Sequence, residues 1–229
     1  FDIEYAGKKT LNRVGKYAVV TFARNIFSNR QLFLKRTLDI LGSLVGMVIL
    51  AIATAFVAPL IKLDSPGPVF FGQTRVGKNG RKFTFYKFRS MYVDAEDRKK
   101  ELMDKNEVKG LMFKMEDDPR ITRVGKFLRR TSIDELPQFW NILKGDMSLV
   151  GTRPPTVDEF EQYGIEHKGR LSMTPGLTGL WQISGRSDIK DFDEVVKLDM
   201  EYIDNWTIWK DIKILMLTFK VVFTGKGSK

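Results

Sequence analysis

The sequence contains no cysteine and only one histidine among its 229 residues. Without cysteine, disulfide bonds and thiolate metal sites are excluded. The single histidine, His167, cannot build a zinc site, and a histidine-based catalytic triad would depend on this residue alone. A metal ion bound by this chain is therefore expected to be a hard cation with oxygen ligands, such as Mg²⁺.

Negative charge is scarce relative to positive charge. The chain has 38 lysines and arginines against 28 acidic residues, a formal net charge of +10. A basic surface of this size favours nucleic acid, anionic lipid or phosphorylated ligands as partners. The length suffices for one domain with a hydrophobic core. Because the sequence opens on Phe1 rather than methionine, we expect it to be part of a longer protein.

The N-terminal part combines a basic segment with an apolar run. Residues 1–36 are polar and basic, and residues 40–61 carry no charge. At about 1.5 Å per residue, a helix over this run is about 33 Å long, enough to cross a bilayer core. A buried core helix is the alternative, although soluble helices rarely stay apolar on every side for so long. The basic segment is either a solvated linker or a juxtamembrane segment held by anionic lipid.

Basic residues flank the apolar run on both sides, with Lys35 and Arg36 before it and Lys62 after it. Basic flanks tend to stay in the cytoplasm. The run is therefore predicted to enter the membrane and return on the same side, with Gly42 and Gly46 as candidate bend sites.

Residues 69–90 are predicted to form two strands joined by a turn at Asn79-Gly80. The alternation of side chains along a strand places Lys87 and Arg89 on one face. Two neighbouring cations suit an anionic ligand, and a solvent-facing strand edge protected by charge is the alternative.

Residues 129–153, RRTSIDELPQFWNILKGDMSLVGTR, place the adjacent carboxylates Asp134 and Glu135 between arginines. Ser132 and Glu135 fit a capping box at a helix start, in which Glu135 merely bonds back to the Ser132 amide. In a chemical interpretation, one carboxylate attacks phosphorus to form an acyl phosphate and its neighbour holds Mg²⁺. The arginines bind phosphate oxygens, and the helix N-terminus adds positive charge. The spacing alone leaves both interpretations open.

Two later stretches also carry candidate functions. Residues 173–188 are rich in glycine and turns, which permits close approach of the backbone to a ligand. Gln182 and Arg186 are candidates for holding a base or sugar there, with a structural loop as the alternative. Residues 206–223 have the pattern of an amphipathic helix at a membrane interface, with a core helix as the alternative.

Three stretches together resemble one family: KFRSM at 87–91, TSIDELPQFWNILKGDMSLVG at 131–151 and PGLTGLWQISGR at 175–186. They are similar to the bacterial sugar transferases, the monotopic polyprenyl-phosphate phosphoglycosyl transferases that start capsule and exopolysaccharide synthesis. The resemblance runs from Lys35 to the end. It implies transfer of a sugar 1-phosphate from a UDP-sugar, UDP-glucose before UDP-galactose, to undecaprenyl phosphate. It also implies release of UMP through a phosphosugar–aspartate intermediate.

The resemblance further implies roles for individual residues. Asp134 corresponds to the nucleophile, and Glu135 to a catalytic carboxylate that holds Mg²⁺. The expected substrate-binding residues are Lys87, Arg89, Arg129, Arg153, Gln182 and Arg186.

Two positions depart from the family pattern. Ala51-Ile52 stand where many members have a Ser-Pro that bends the apolar segment back, which leaves the expected return without its usual cause. Thr152 stands where members usually have proline, which predicts a looser approach to Arg153.

The predicted fold is α/β and α-rich: a membrane-associated monotopic catalytic domain with an N-terminal re-entrant helix, a small sheet or hairpin and interfacial amphipathic helices. It divides into a basic juxtamembrane segment (1–36), a membrane-inserted helix (37–63) and a cytoplasmic catalytic domain (64–229). The expected location is the cytoplasmic face of the bacterial inner membrane.

The expected partners are a UDP-sugar, undecaprenyl phosphate and membrane lipid, with homo-oligomerisation left open. Nucleic acid is not expected, because it does not explain the uncharged run of residues 40–61. The alternative function is a non-catalytic membrane-bound assembly or regulatory module of polysaccharide synthesis. That alternative explains the positive charge and the apolar segments but not the carboxylate pair.

Overall fold

The computed structural model describes residues 8–14, 17–23, 27–102, 115, 117–185, 189 and 191–224. Its longest element is α1 (Asn29–Asp64). The Ser28 hydroxyl accepts a hydrogen bond from the Gln31 amide, and the Gln31 side chain accepts one from the Ser28 amide. This capping box starts the helix at residue 29. The start lies inside the predicted basic juxtamembrane segment (1–36), whereas the sequence predicted a helix from residue 37.

The other elements are shorter. The helices that follow α1 in the described chain are α2 (Ala95–Glu101), α3 (Arg123–Arg130), α4 (Gln138–Lys144), α5 (Val157–Glu161), α6 (Ile165–Lys168), α7 (Leu180–Ile183), α8 (Phe192–Asp204) and α9 (Ile208–Thr224). The strands form antiparallel pairs of β1 (Lys8–Val14) with β2 (Tyr17–Ala23) and of β3 (Phe70–Val76) with β4 (Lys82–Phe88), and a parallel pair of β5 (Ser148–Val150) with β6 (Gly176–Thr178). The predicted helix-rich fold with small sheets is confirmed.

The hairpin of β3 and β4 turns where the sequence predicted. Asn79 and Gly80 have φ angles of 55° and 80°. Both lie in the left-handed region, which asparagine and glycine tolerate best. The turn fixes a register in which Phe71 faces Lys87 and Arg75 faces Phe83 across the two strands.

The outer face of α1 is apolar and exposed, as at Phe56, which is 71% exposed. Within the described residues α1 is the one helix long and apolar enough to cross a membrane, judged by length and composition. Its 36 residues span about 54 Å. The helix continues without interruption through Ala51-Ile52, so the expected return has no break there, and one-sided insertion stays a prediction.

The inner face of α1 packs on the rest of the protein. Leu50, Val57 and Ile61 form a cluster with Phe88 of β4 and Leu128 of α3. Helix α1 therefore has one side that packs on the protein and another, apolar side that is exposed.

Lys35 and Arg36 bind protein groups rather than forming a lipid-facing flank. Lys35 is 5% exposed, and its Nζ lies 2.8 Å from the Val150 carbonyl and 2.7 Å from an Asp211 carboxylate oxygen. Arg36 donates to the carbonyls of Ile142 and Leu143 in α4, each at 2.7 Å. Lys35 and Arg36 therefore no longer support the prediction that basic flanks keep both ends of the apolar run in the cytoplasm.

The C-terminal helix α9 has both a buried and an exposed side. Asp211 and Ile214 are buried, whereas Trp209 and Met216 are 76% and 70% exposed. Lys210 donates to the Glu201 carbonyl at 3.3 Å and is thus held by α8. The exposed aromatic and apolar residues are consistent with the amphipathic pattern, and the interfacial location stays a prediction.

Candidate functional site

The adjacent carboxylates lie on a single 3₁₀ turn, Ile133–Glu135, between α3 and α4. Ser132, which precedes the turn, has φ of 56° and makes no side-chain capping bond. A positive φ is uncommon for a residue other than glycine. The capping-box interpretation is therefore wrong. The carboxylates do lie at a helix start, but it is that of the short 3₁₀ turn, and α4 begins only at Gln138.

Lys87 contacts both carboxylates. Its Nζ lies 3.1 Å from Glu135 Oε1 and 3.5 Å from Asp134 Oδ2. The Asp134 side chain is almost fully buried, whereas Lys87 and Glu135 keep part of their surface exposed. Charge-assisted hydrogen bonds of this kind fix orientation as well as adding stability. Thus β4 positions Lys87 beside the carboxylates, and its role toward a ligand stays a prediction.

Arg89 points elsewhere. Its guanidinium donates to the carbonyls of Ser65 at 2.7 Å and Pro66 at 2.5 Å, with Ile61 at 3.5 Å. These carbonyls lie at and just beyond the end of α1, where backbone acceptors lack helical partners. The side chain is buried. The prediction that Arg89 and Lys87 form one anion-binding face is therefore wrong, because β4 ends at Phe88 and Arg89 turns inward to the end of α1.

Arg129 lies in the last turn of α3, shortly before the carboxylates in the chain. Its Nε donates to Ser90 Oγ at 2.9 Å. Burial lowers the pKa of the Arg129 guanidinium, and the negative charges of Asp134 and Asp118 counter part of that shift. The structure thus brings Arg129 within electrostatic reach of Asp134.

Arg153 lies on the loop after β5, and an Arg153 guanidinium nitrogen is 3.5 Å from Glu159 Oε1. The preceding residue, Thr152, is buried. Its hydroxyl donates to the Arg170 carbonyl at 3.1 Å, and its own carbonyl accepts from the Gly176 amide at 2.9 Å. The expected looser approach to Arg153 is therefore wrong, because Thr152 anchors the loop from both its side chain and its backbone.

Two further charged residues join the site without having been predicted. Arg75 of β3 donates to the Pro154 carbonyl at 2.8 Å. Glu159 faces Arg153 and accepts from the Thr156 amide at 2.9 Å. Strand pairing around the Asn-Gly turn would have placed Arg75 on the face of Lys87. The pattern Thr-x-x-Glu at 156–159 is a capping-box signal that would have identified Glu159 as a helix-start residue.

Of the glycine-rich stretch at residues 173–188, the structure describes residues 173–185. The carbonyl oxygen of the Gln182 side chain is buried and has no hydrogen-bond partner among the described residues. The neighbouring Trp181 packs with Ile189 and Val195 in a small cluster. Arg186 lies outside the described residues. The ligand roles of Gln182 and Arg186 stay predictions.

The carboxylates fit a magnesium ion only together with a phosphate. Within the described part of the chain, no group of three or more aspartate, glutamate or histidine side chains is placed to hold a metal ion. Mg²⁺ is commonly held by one or two carboxylates and by substrate phosphates, with water in the other positions. Asp134 and Glu135 would supply the carboxylate part of such a set, and magnesium binding stays a prediction.

Comparison with known proteins identifies related sequences. Residues 30–225 match the family described as bacterial sugar transferase. The chain is 59% identical over 223 residues to the galactosyl transferase CpsE of Streptococcus agalactiae serotype III, covering 97% of this chain and 49% of the relative.

Two other relatives are named as undecaprenyl-phosphate sugar phosphotransferases, one for galactose and one for glucose. Identity is 44% to an undecaprenyl-phosphate galactose phosphotransferase of Salmonella typhimurium, covering 89% of this chain and 43% of the relative. Identity is 39% to an undecaprenyl-phosphate glucose phosphotransferase of Komagataeibacter xylinus, covering 92% of this chain and 40% of the relative. The chain thus spans less than half the length of these three relatives.

Proposed function

The chain belongs to the bacterial sugar transferase family, and we propose that it transfers a sugar 1-phosphate from a UDP-sugar to undecaprenyl phosphate. The observation that carries the proposal is the pair Asp134 and Glu135 on one turn, in contact with Lys87 at 3.5 and 3.1 Å. Arg129 and Arg153 lie on either side of this pair in the sequence. A carboxylate nucleophile beside fixed cations suits phosphoryl transfer through a covalent acyl phosphate.

In the proposed reaction, an Asp134 carboxylate oxygen attacks the β-phosphorus of the UDP-sugar. The bond between that phosphorus and the bridging oxygen breaks, its electron pair stays on the oxygen, and UMP leaves. A phosphate oxygen of undecaprenyl phosphate then attacks the same phosphorus and releases the Asp134 carboxylate. Lys87 orients the two carboxylates and offsets their negative charge as the phosphates approach.

Glu135 is the proposed magnesium ligand because it is the more exposed of the two carboxylates, at 20% against 6%. When bound, Mg²⁺ neutralises negative charge on the donor phosphates. The hydrogen bond that Lys87 donates to Glu135 fixes the orientation of this carboxylate.

The donor sugar is proposed from the names of relatives alone. Two of the relatives described above are named for galactose and one for glucose. UDP-galactose is therefore placed before UDP-glucose, which reverses the order expected from the sequence. Neither donor is distinguished by a contact within the described residues.

Insertion from one side of the membrane is proposed from the contacts of α1. Near its start, Lys35 bonds to Asp211 of α9. At its end, Asp64 accepts from the Val124 amide of α3 at 2.9 Å. Both ends of the helix therefore contact the same body, which favours a location of both on the cytoplasmic face of the inner membrane. The exposed apolar face of α1 would then contact lipid.

The test is UMP release from UDP-galactose and UDP-glucose, measured with undecaprenyl phosphate and Mg²⁺ in nanodiscs. We expect release by the wild type and its almost complete loss in Asp134→Asn. Asp158→Asn, at an exposed position on α5, is the matched control and should retain release. Thermal unfolding of each variant separates loss of chemistry from loss of fold.

The outcome also separates the two functional classes. No release by folded wild-type protein with any UDP-hexose, or full release by Asp134→Asn, would refute the proposed reaction. A non-catalytic assembly module would be favoured by membrane binding without turnover.

A further inference from the structure

Asn141 is a buried polar residue of α4 to which the proposed reaction assigns no role. It has 0% of its surface exposed. Its side-chain nitrogen Nδ2 donates to the Thr84 carbonyl at 2.7 Å, and its Oδ1 accepts from the Tyr86 amide at 3.1 Å. Because the carbonyl needs a donor and the amide needs an acceptor, only this orientation of the side chain satisfies both groups. Asn141 therefore links α4 to the strand that carries Lys87.

Both groups that Asn141 binds lie on the edge of β4 that faces away from β3. Backbone hydrogen bonds alternate along an antiparallel pair, and just beyond β4 the Arg89 amide donates to the Val69 carbonyl at 2.9 Å. In that register the odd-numbered residues of β4 bond to β3, so the backbone groups of Thr84 and Tyr86 face outward. The side chain of Asn141 thus takes the place of a third strand at this edge.

At the other end of this link, backbone hydrogen bonds join α4 to the turn that carries the carboxylates. The Leu136 amide donates to the Ile133 carbonyl at 3.2 Å, and the Phe139 amide donates to the Leu136 carbonyl at 3.0 Å. The 3₁₀ turn that holds Asp134 and Glu135 therefore runs directly into α4. Whatever fixes α4 against β4 also fixes the carboxylates against that strand.

Lys87 lies on β4 directly after the strand residues that Asn141 binds, but its contact with Glu135 cannot by itself fix the strand against the turn. Lysine has a flexible stem, and the side chains of Lys87 and Glu135 are 27% and 20% exposed. Phe85 of β4 and Ile142 of α4 share the hydrophobic core, yet apolar packing is not directional. The two hydrogen bonds of Asn141 are directional, so they set the position of β4 along α4.

We propose that Asn141 is a positioning residue that fixes Lys87 beside Asp134 and Glu135. The inference rests on the proposed reaction, in which Lys87 orients these carboxylates for attack on phosphorus. In this role Asn141 acts through Lys87 and does not contact the substrate. Since a misplacement of about 1 Å can cost about 100-fold in rate, loss of the link should reduce turnover more than donor binding.

The test is UMP release by Asn141→Ala in nanodiscs, with undecaprenyl phosphate, Mg²⁺ and the UDP-hexose that the wild type uses. We expect kcat to fall by about 10- to 100-fold, with KM for the donor within about threefold of the wild type. Asn205→Ala is the matched control, because Asn205 is exposed and donates to the Glu201 carbonyl at 3.1 Å at the end of α8. The control should release UMP like the wild type. A change in KM alone in Asn141→Ala would overturn the assignment.

A double-mutant cycle separates positioning from support of the fold. If Asn141 acts through Lys87, Asn141→Ala should change kcat by less than about twofold in a Lys87→Met background, measured in single turnovers with enzyme in excess. A residue that only supports the fold would reduce kcat by the same factor in both backgrounds, and that result would overturn the inference. Asn141→Ser, whose hydroxyl can still donate or accept, serves if Asn141→Ala does not fold. If neither variant folds, Asn141 is needed for the fold itself and the assignment is wrong.

Hydrogen exchange at the Tyr86 amide gives a readout that does not depend on turnover. Asn141→Ala should raise the exchange rate of this amide by at least about tenfold and leave that of the Arg89 amide unchanged; unchanged exchange at Tyr86 would refute the link. If the wild type releases no UMP but exchange at Tyr86 depends on Asn141, the proposed reaction fails while the link between α4 and β4 stands. If the wild type and Asn141→Ala release UMP at equal rates, the inference is wrong and the reaction stands.

Discussion

Replacing Lys35 with methionine tests whether the start of α1 belongs to the protein core. The Lys35 ammonium lies 2.7 Å from Asp211, with side-chain exposures of 6% and 1% for the pair. The other Asp211 oxygen accepts from the Tyr202 hydroxyl at 2.7 Å. In Lys35→Met the Asp211 carboxylate would keep this hydrogen bond but lose its buried counter-charge, and the Val150 carbonyl would lose a donor.

The structure predicts a large effect. Breaking a buried ion pair by removing one partner costs about 3–5 kcal/mol. For a chain of this size, 1 kcal/mol corresponds to about 2–4 °C in Tm. The expected decrease in Tm is therefore about 6–20 °C. A lysine that only contacted anionic lipid would instead contribute about 1 kcal/mol to membrane binding.

The assay is thermal unfolding in nanodiscs, followed by tryptophan fluorescence. The Lys35 ammonium lies 5.7 Å from the Trp206 ring centre, so this buried tryptophan reports on the same region. Lys213→Met, which removes an exposed lysine from α9, is the matched control. The double variant Lys35→Met/Asp211→Leu should recover much of the lost stability, because an apolar pair of similar volume often replaces a buried ion pair without net cost.

A decrease in Tm of less than about 3 °C in Lys35→Met, equal to that of Lys213→Met, would refute the argument. So would a double variant as unstable as the sum of the two single variants. Either result would return Lys35 to the role of a basic flank outside the core.

Three other perturbations probe the support of the site. Gly125→Ala should destabilise the protein by about 1–3 kcal/mol, because a Cβ there would collide with the backbone oxygen of Ser90; an unchanged denaturant midpoint would contradict this. Thr152→Val should cost about 1 kcal/mol in the same measurement by removing the hydroxyl that bonds to the Arg170 carbonyl, and a stabilised variant would count against it. Because the pKa of Glu159 is lowered from 4.5, the folded state binds fewer protons than the unfolded state just below that pH, so stability falls as the pH drops through this range. Glu159→Gln should make the acid-side decrease in Tm shallower, and an identical pH dependence would show that this carboxylate does not contribute.

Features governed by nearby residues were predicted well. The Asn79-Gly80 turn lies where the sequence placed it, because few residues accept two successive positive φ angles. Helix α4 ends before Gly145, whose φ of 92° is the left-handed conformation that glycine commonly adopts after the last residue of a helix. The apolar run of residues 40–61 likewise lies within one helix.

Local patterns failed where more than one partner was available. Ser132 and Glu135 have the spacing of a capping box, yet Ser132 is left-handed and Glu135 bonds to Lys87. The motif cannot show that a strand 48 residues away supplies a lysine. Arg89 was misplaced for the same reason, since alternation along β4 could not reveal the carbonyls at the end of α1 that bind its guanidinium.

The sequence by itself determined the family, the carboxylate pair at 134 and 135, and a long apolar helix, because each depends on residue types in a contiguous stretch. Only the tertiary structure decided which protein groups the cations discussed above contact. Lys35 and Asp211 are 176 residues apart in the chain yet share a buried ion pair, whereas Arg153 keeps its guanidinium partly exposed beside Glu159. A lysine or arginine in a sequence looks the same in either setting, since its role depends on which acceptors the folded chain brings to it and on whether water is excluded.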